Sequence, residues 1–208
     1  MKAIIFDVDG TIIDTESVQL KALQQVAKQR GLHYSMDDLR IVFGLPGRIG
    51  LERLGIEDVE QTLADWEEAI EAFQDEMTLF DRIQELIEML HTQGYALGIV
   101  TSKTKKQFDT EVVPFGIHIY FDAIVVADDT EKHKPHPDPL QHCMAQLNVE
   151  PSDTLYIGDS IFDYECALAA KASFGVAKWG ATQANQMVEA TYHFETAADV
   201  MKQFDKEA

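Results

Sequence analysis

Basic residues are scarce in this chain. Its 208 residues carry 17 lysines and arginines against 36 aspartates and glutamates, a formal charge of −19. A field of that sign repels nucleic acid and anionic membrane surfaces, which argues against both as partners. Cysteine is almost missing. Cys143 and Cys166 lie in helix-like stretches without a Cys-x-x-Cys motif, so neither a disulfide framework nor a cysteine zinc centre is expected. Both read as small buried hydrophobes in a reducing compartment. No apolar run approaches the length of a membrane span. The strand-like Ala3-Ile4-Ile5-Phe6 is not preceded by a charged leader and an apolar signal segment, and the expected location is the cytoplasm. His133, His136 and His142 do not follow a zinc spacing, and the prolines among them hold the segment extended. Internal repeats and low-complexity segments are lacking too.

What is present is ordinary globular material, with 46% apolar residues, enough for one large domain or a core with a smaller insert. Four short apolar runs each end in polar residues: Ala3–Phe6 before Asp7, Ala96–Val100 before Thr101, Ala123–Ala127 before Asp128, and Thr154–Ile157 before Gly158-Asp159. Continuous rather than alternating apolar character predicts strands buried on both faces, as in a parallel sheet. Helical patterns lie between them. Ile83, Leu86, Ile87 and Leu90 mark one, and Leu140, Cys143, Met144 and Leu147 mark another. The alternation predicts an α/β fold with a doubly wound, Rossmann-like parallel sheet. Ligands of such sheets sit beyond the carboxyl ends of the strands, where all four polar landing points fall.

The first crossover is far longer than one helix needs. Thr15–Arg30 reads as a helix stopped by Gly31, and Ser35 as the cap of a second one. Val59, Leu63, Trp66, Ile70, Phe73 and Met77 form one apolar stripe of a long helix, suited to packing in a bundle. Residues 15–80 are therefore expected to be a helical insert, and 1–14 with 81–208 the α/β core.

Chemistry concentrates at the strand ends. In Asp7-Val8-Asp9-Gly10-Thr11, two carboxylates two residues apart on an extended segment point the same way, and Gly10 permits a sharp turn. In Gly158-Asp159-Ser160-Ile161-Phe162-Asp163, two carboxylates four apart share one face of a helix start. Acids in either place also serve as plain helix caps. Four of them around one point would repel unless a cation sits among them, and hard oxygen ligands beside a phosphate favour Mg²⁺ over zinc. Thr101-Ser102 offers a hydroxyl and backbone N–H groups where a helix could begin, a ready anion site that equally fits simple capping. Lys134 lies on a stretch stiffened by Pro135, Pro137 and Pro139, where a fixed ammonium could neutralise a charged transition state.

In that order these segments resemble the haloacid dehalogenase-like superfamily of phosphatases over essentially the whole chain. Asp7–Thr11 matches its first motif, Thr101 its second, Lys134 its third, and Gly158-Asp159 with Asp163 its fourth. The resemblance implies a Mg²⁺-dependent phosphatase that hydrolyses a small phosphorylated metabolite through an aspartyl-phosphate. It implies Asp7 as nucleophile and Asp9 as the group that protonates the leaving oxygen and then activates water. Thr101 and the backbone near Ser102 would hold phosphoryl oxygens, and Lys134 would stabilise the nucleophile and the phosphate charge. The metal would be held by Asp7, the backbone carbonyl of Asp9 and Asp159, with Asp163 close or bound through water. The insert resembles the mobile cap of the phosphoglycolate phosphatase and β-phosphoglucomutase branch. Its Gly44-Leu45-Pro46-Gly47-Arg48 resembles the loop that reaches the active site there, which would let Arg48 bind a substrate carboxylate or second phosphate. Glu76–Asp81 departs from the branch in lacking a Pro-Gly turn. Lys103, Lys105 and Lys106 either offset the acidic field near the entrance or form a solvated helix face, the second being the favoured reading. A sugar-phosphate mutase is the nearest alternative, but Gln19 stands where related mutases carry a histidine; a non-catalytic relative would usually lack the nucleophile or a metal ligand. A monomer is the simplest expectation, and a phosphoglycolate- or pyrophosphate-like substrate the favoured one.

Overall fold

The protein is described here by a computed structural model covering residues 1–40 and 47–206. Gly44 and Pro46, two of the expected substrate contacts, lie outside the described residues. The chain divides into two compact units, Met1–Ile13 with Leu79–Ala208, and Asp14–Thr78.

The larger unit opens with β1 (Ala3–Phe6), whose four residues are all fully buried. Short segments β2 (Ile13–Asp14) and β3 (Thr78–Leu79) pair where the chain leaves and rejoins this unit. The smaller unit holds α1 (Glu16–Gln29), α2 (Met36–Arg40), α3 (Gly47–Arg53) and α4 (Val59–Glu71). Leu20, Leu23, Leu39, Leu51, Ile56 and Trp66 close on one another there, which is how four amphipathic helices remove their apolar stripes from water. Trp66 buries its ring and donates its Nε1–H to the carbonyl of Gln19 at 2.9 Å. Ser35 caps α2 as expected, its Oγ accepting from the N–H of Asp38 at 3.1 Å. The long helix expected through Met77 ends earlier. α4 stops at Glu71, a 3-10 turn covers Gln74–Glu76, and Met77 is extended.

The larger unit continues with α5 (Ile83–Thr92), β4 (Ala96–Val100), α6 (Lys105–Glu111), β5 (Ala123–Val125), α7 (Asp138–Leu147), β6 (Thr154–Gly158), α8 (Ile161–Ala170), β7 (Ser173–Ala177), β8 (Tyr192–Phe194) and α9 (Ala197–Phe204). The strands form a parallel six-stranded sheet in the order β5-β4-β1-β6-β7-β8. Ile5 joins the cluster of Leu140, Cys143, Tyr164 and Cys166 from α7 and α8. On a strand, its neighbours Ile4 and Phe6 point to the other face. Burial on both faces explains the unbroken apolar runs. Both cysteines are free and buried, and burial pushes each thiol up to about 12.

Besides the two-residue β2 and β3, strands β7 and β8 go beyond the four read from the sequence. β7 is Ser-Phe-Gly-Val-Ala, with Gly175 leaving room for the ring of Phe194. β8 is an edge strand of three residues, Tyr-His-Phe, in which only Phe194 is buried. Neither carries the run of large aliphatics that marks the interior strands. Among the described residues, no helix is long and apolar enough to cross a membrane.

Candidate active site

Strand order decides what meets at the carboxyl edge. β1 lies between β4 and β6, so the residues after these three strands converge although about 150 positions separate the first from the last. Asp7 follows β1 and is tied to β6 by its N–H donating to the carbonyl of Ile157 at 2.9 Å. The chain then turns at once. The N–H groups of Thr11, Ile12 and Ile13 all point to the carbonyl of Val8, and Gly10 takes a left-handed φ of 74°. A side chain at Gly10 would be strained by that φ and would run into the Asp159 carboxylate, so glycine is required there.

Oxygens of Asp7, Asp159 and Asp163 lie within 4.8 Å of one another, and all three side chains are buried. The ammonium of Lys134 sits in the group, 2.8 Å from Asp7 Oδ1 and 2.7 Å from Asp163 Oδ1. Burial raises the Asp7 carboxyl to about 7, repulsion from Asp163 adds to the rise, and Lys134 opposes it. Burial, then Asp163 and Asp7, push Asp159 well above the usual carboxylate range. Burial would raise Asp163 as well, but Lys134, Ser160 and Tyr156 together hold it below its ordinary value. Lys134 stays charged: burial alone would favour the free amine, and Asp163 and Asp7 outweigh it. Buried carboxyl oxygens from three acids, close to one another, are the donor set that a hard divalent cation fits.

Asp163 has two functions at once. Its Oδ2 accepts from Ser160 Oγ at 2.5 Å and from the Ser160 N–H at 3.1 Å, which closes a capping box at the start of α8. Its Oδ1 faces Lys134 and the hydroxyl of Tyr156. Capping and site membership, alternatives in the sequence, are both realised. Asp159 precedes the helix rather than lying on its first turn, and Thr11 Oγ1 donates to its Oδ1 at 3.3 Å.

Asp9 departs from the expectation of four acids around one point. Its carboxylate is not part of the three-acid group, and Lys103 Nζ lies 2.9 Å from its Oδ1. Lys103 itself corrects the reading of a solvated helix face: it is buried and pairs with Glu111 at 2.5 Å as well. Asp9 and Glu111 together keep its ammonium charged against the effect of burial. Thr101 is buried and Ser102 exposed; Thr101 Oγ1 accepts the Lys103 N–H at 3.1 Å. The helix expected directly after Thr101-Ser102 starts further on, at Lys105, capped by Thr104 in a box with Gln107. Arg48 belongs to the smaller unit, near the start of α3, exposed and paired with Glu60.

Tyr156 carried no signal in the sequence, where it is one aromatic in a strand. It is fully buried in β6, with its hydroxyl 2.8 Å from Asp163 Oδ1, 3.1 Å from the carbonyl of Val100 and 3.3 Å from Lys134 Nζ. Tyr156→Phe keeps the ring packed on Phe174 and removes only the hydroxyl. The expected loss is about 1–3 kcal/mol of stability, read from the urea midpoint, because buried polar groups lose a partner.

Residues 4–177 match the family model described as haloacid dehalogenase-like hydrolase. A protein of Caldanaerobacter subterraneus provisionally named pyrophosphatase PpaX is 31% identical over 179 residues, covering 85% of this chain and 81% of that one. The pyrophosphatase PpaX of Halalkalibacterium halodurans is 30% identical over 165 residues, 78% of this chain and 77% of its own. A crystal structure from Lactobacillus plantarum, provisionally described as a phosphoglycolate phosphatase, superposes with a TM-score of 0.90 at 28% identity, over 98% of this chain and 99% of that one.

Proposed function

Because the chain belongs to the haloacid dehalogenase-like hydrolases, we propose that it is a Mg²⁺-dependent phosphatase acting on a small phosphorylated metabolite through an aspartyl-phosphate on Asp7. The observation that carries this reading is the Asp7 carboxylate, fixed at the end of a central strand with Lys134 at 2.8 Å and two further acids beside it. A carboxylate attacks phosphorus only when the phosphoryl group is placed and its charge offset. Lys134 supplies one fixed positive charge, and Thr101 with the backbone at Ser102 supplies hydrogen-bond donors for phosphoryl oxygens.

In the first step an oxygen of Asp7 bonds to phosphorus while the bond from phosphorus to the substrate oxygen breaks. Asp9 gives its proton to that leaving oxygen. In the second, Asp9 takes a proton from water as the water oxygen bonds to phosphorus and the Asp7–phosphorus bond breaks, which restores both acids. Asp7, the backbone carbonyl of Asp9 and Asp159 would hold Mg²⁺, with Asp163 contributing through the water shell, since both of its oxygens already have protein partners. The cation, when bound, supplies charge neutralisation for the phosphoryl oxygens. We read the helical unit Asp14–Thr78 as the cap that selects the substrate, with Arg48 and the segment around Gly44 and Pro46 as its contacts. The names borne by the relatives favour pyrophosphate or phosphoglycolate. The chain is taken to act as a monomer in the cytoplasm.

Phosphate release is measured from pyrophosphate, phosphoglycolate, sugar phosphates and nucleoside monophosphates, with Mg²⁺ and after chelation. The expected outcome is release that needs Mg²⁺ and is strongest for one of the first two. A folded, Mg²⁺-loaded protein that releases phosphate from none of them contradicts the proposal and favours a mutase.

A further inference from the structure

We propose that Lys103, anchored by Glu111, is a positioning residue that holds the Asp9 carboxyl group where it transfers its proton. This rests on the reading of Asp9 as the acid and base of the reaction.

A buried ammonium is uncommon unless it is paired, and in a chain of −19 most lysines have no need of shelter. Lys103 is fixed along its whole length. Its N–H donates to Thr101 Oγ1 at 3.1 Å, and its carbonyl accepts from the N–H of Ala127 at 2.8 Å. Its ammonium is gripped by Glu111, whose side chain, like that of Lys103, is over nine-tenths buried. The third member differs. The Asp9 side chain keeps 28% of its surface exposed, against 8% for Lys103. The carboxyl group is therefore the member that can meet a substrate, and the lysine acts through it. Glu111, at the last turn of α6, supplies the second anchor. With one carboxylate alone the flexible lysine stem would follow Asp9; with two, the ammonium has a fixed place against which Asp9 is set. Lys103 belongs to a different cluster from Lys134, which serves Asp7 and Asp163.

The test uses the full chain with Mg²⁺ and two substrates. p-Nitrophenyl phosphate has a leaving group that departs readily without a proton, and ethyl phosphate has one that does not. Release from the parent that disappears in Asp7→Asn secures the reading beneath this inference; a parent that releases nothing overturns that reading itself. With the parent active, Lys103→Met is expected to lower kcat/KM for ethyl phosphate about 100-fold and for p-nitrophenyl phosphate less than about 5-fold. Lys103→Arg is expected to recover most of the loss. In an Asp9→Asn background, Lys103→Met is expected to change p-nitrophenyl phosphate turnover by no more than about 2-fold, because a residue that works through Asp9 has nothing left to position. Equal losses on both substrates, or a full further loss on top of Asp9→Asn, overturn the proposal. Should Lys103→Met fail to fold with Glu111 buried and unpaired, Lys103→Met/Glu111→Leu carries the same comparison with the same deciding outcomes.

Discussion

Asp7→Asn is expected to lower kcat for phosphate release by at least about 10⁴-fold, since removing a covalent nucleophile costs on that order. The same change is expected to leave the metal-free fold as stable as the parent, or more so. Asp7 is buried among acids, and burial first, then Asp163, already raises its carboxyl to about 7. An amide of the same shape removes that repulsion, and Lys134 retains Asp163 as a partner at 2.7 Å. Inactivity combined with an undiminished urea midpoint therefore separates a chemical loss from a structural one. A variant that keeps more than a hundredth of parental turnover, at least about 100 times what the 10⁴-fold loss allows, would mean that phosphorus is attacked by another group.

Lys134→Met is expected to act in the opposite manner, through the fold as well as the chemistry. That ammonium pairs with two of the three buried acids, Asp7 and Asp163, and truncating one partner of a buried pair typically costs about 3–5 kcal/mol. The urea midpoint should fall accordingly and activity should vanish. Mg²⁺ should recover part of the lost stability, because a bound cation stabilises whatever state holds it. Adding Asp163→Asn to Lys134→Met should recover another part by removing one of the stranded charges. If Lys134→Met unfolds at the parental midpoint, the ammonium is not what holds the acids together.

Much of the candidate site was legible because it gathers charged and polar groups at strand ends, and strand ends can be read from where apolar runs stop. Asp7, Thr101, Lys134, Asp159 and Asp163 all stood at such stops or on the rigid stretch between them. Lys103 was misread because a lysine next to Lys105 and Lys106 looks like a helix face; only the fold brings Asp9 and Glu111 to it. Tyr156 was unreadable for a related reason. A phenol inside a buried strand is an ordinary core residue until Asp163, seven positions on, turns back over it. β7 and β8 escaped because small residues and an edge position erase the apolar run that identifies a strand. α4 was overestimated because its stripe of side chains continues past Glu71 although the helical hydrogen bonds do not.

The placement of β1 between two late partners has a consequence for how the protein is made. The strand that ends at Asp7 is made well before both of its sheet neighbours, Ala96–Val100 and Thr154–Gly158. At ordinary rates of synthesis, roughly ten seconds pass before the second of these exists. Through that interval Ala-Ile-Ile-Phe is an unpaired apolar segment, whereas Asp14–Thr78 draws on contacts within 65 neighbouring residues. The sheet edge that carries Asp7 is complete only once Thr154–Gly158 has been translated.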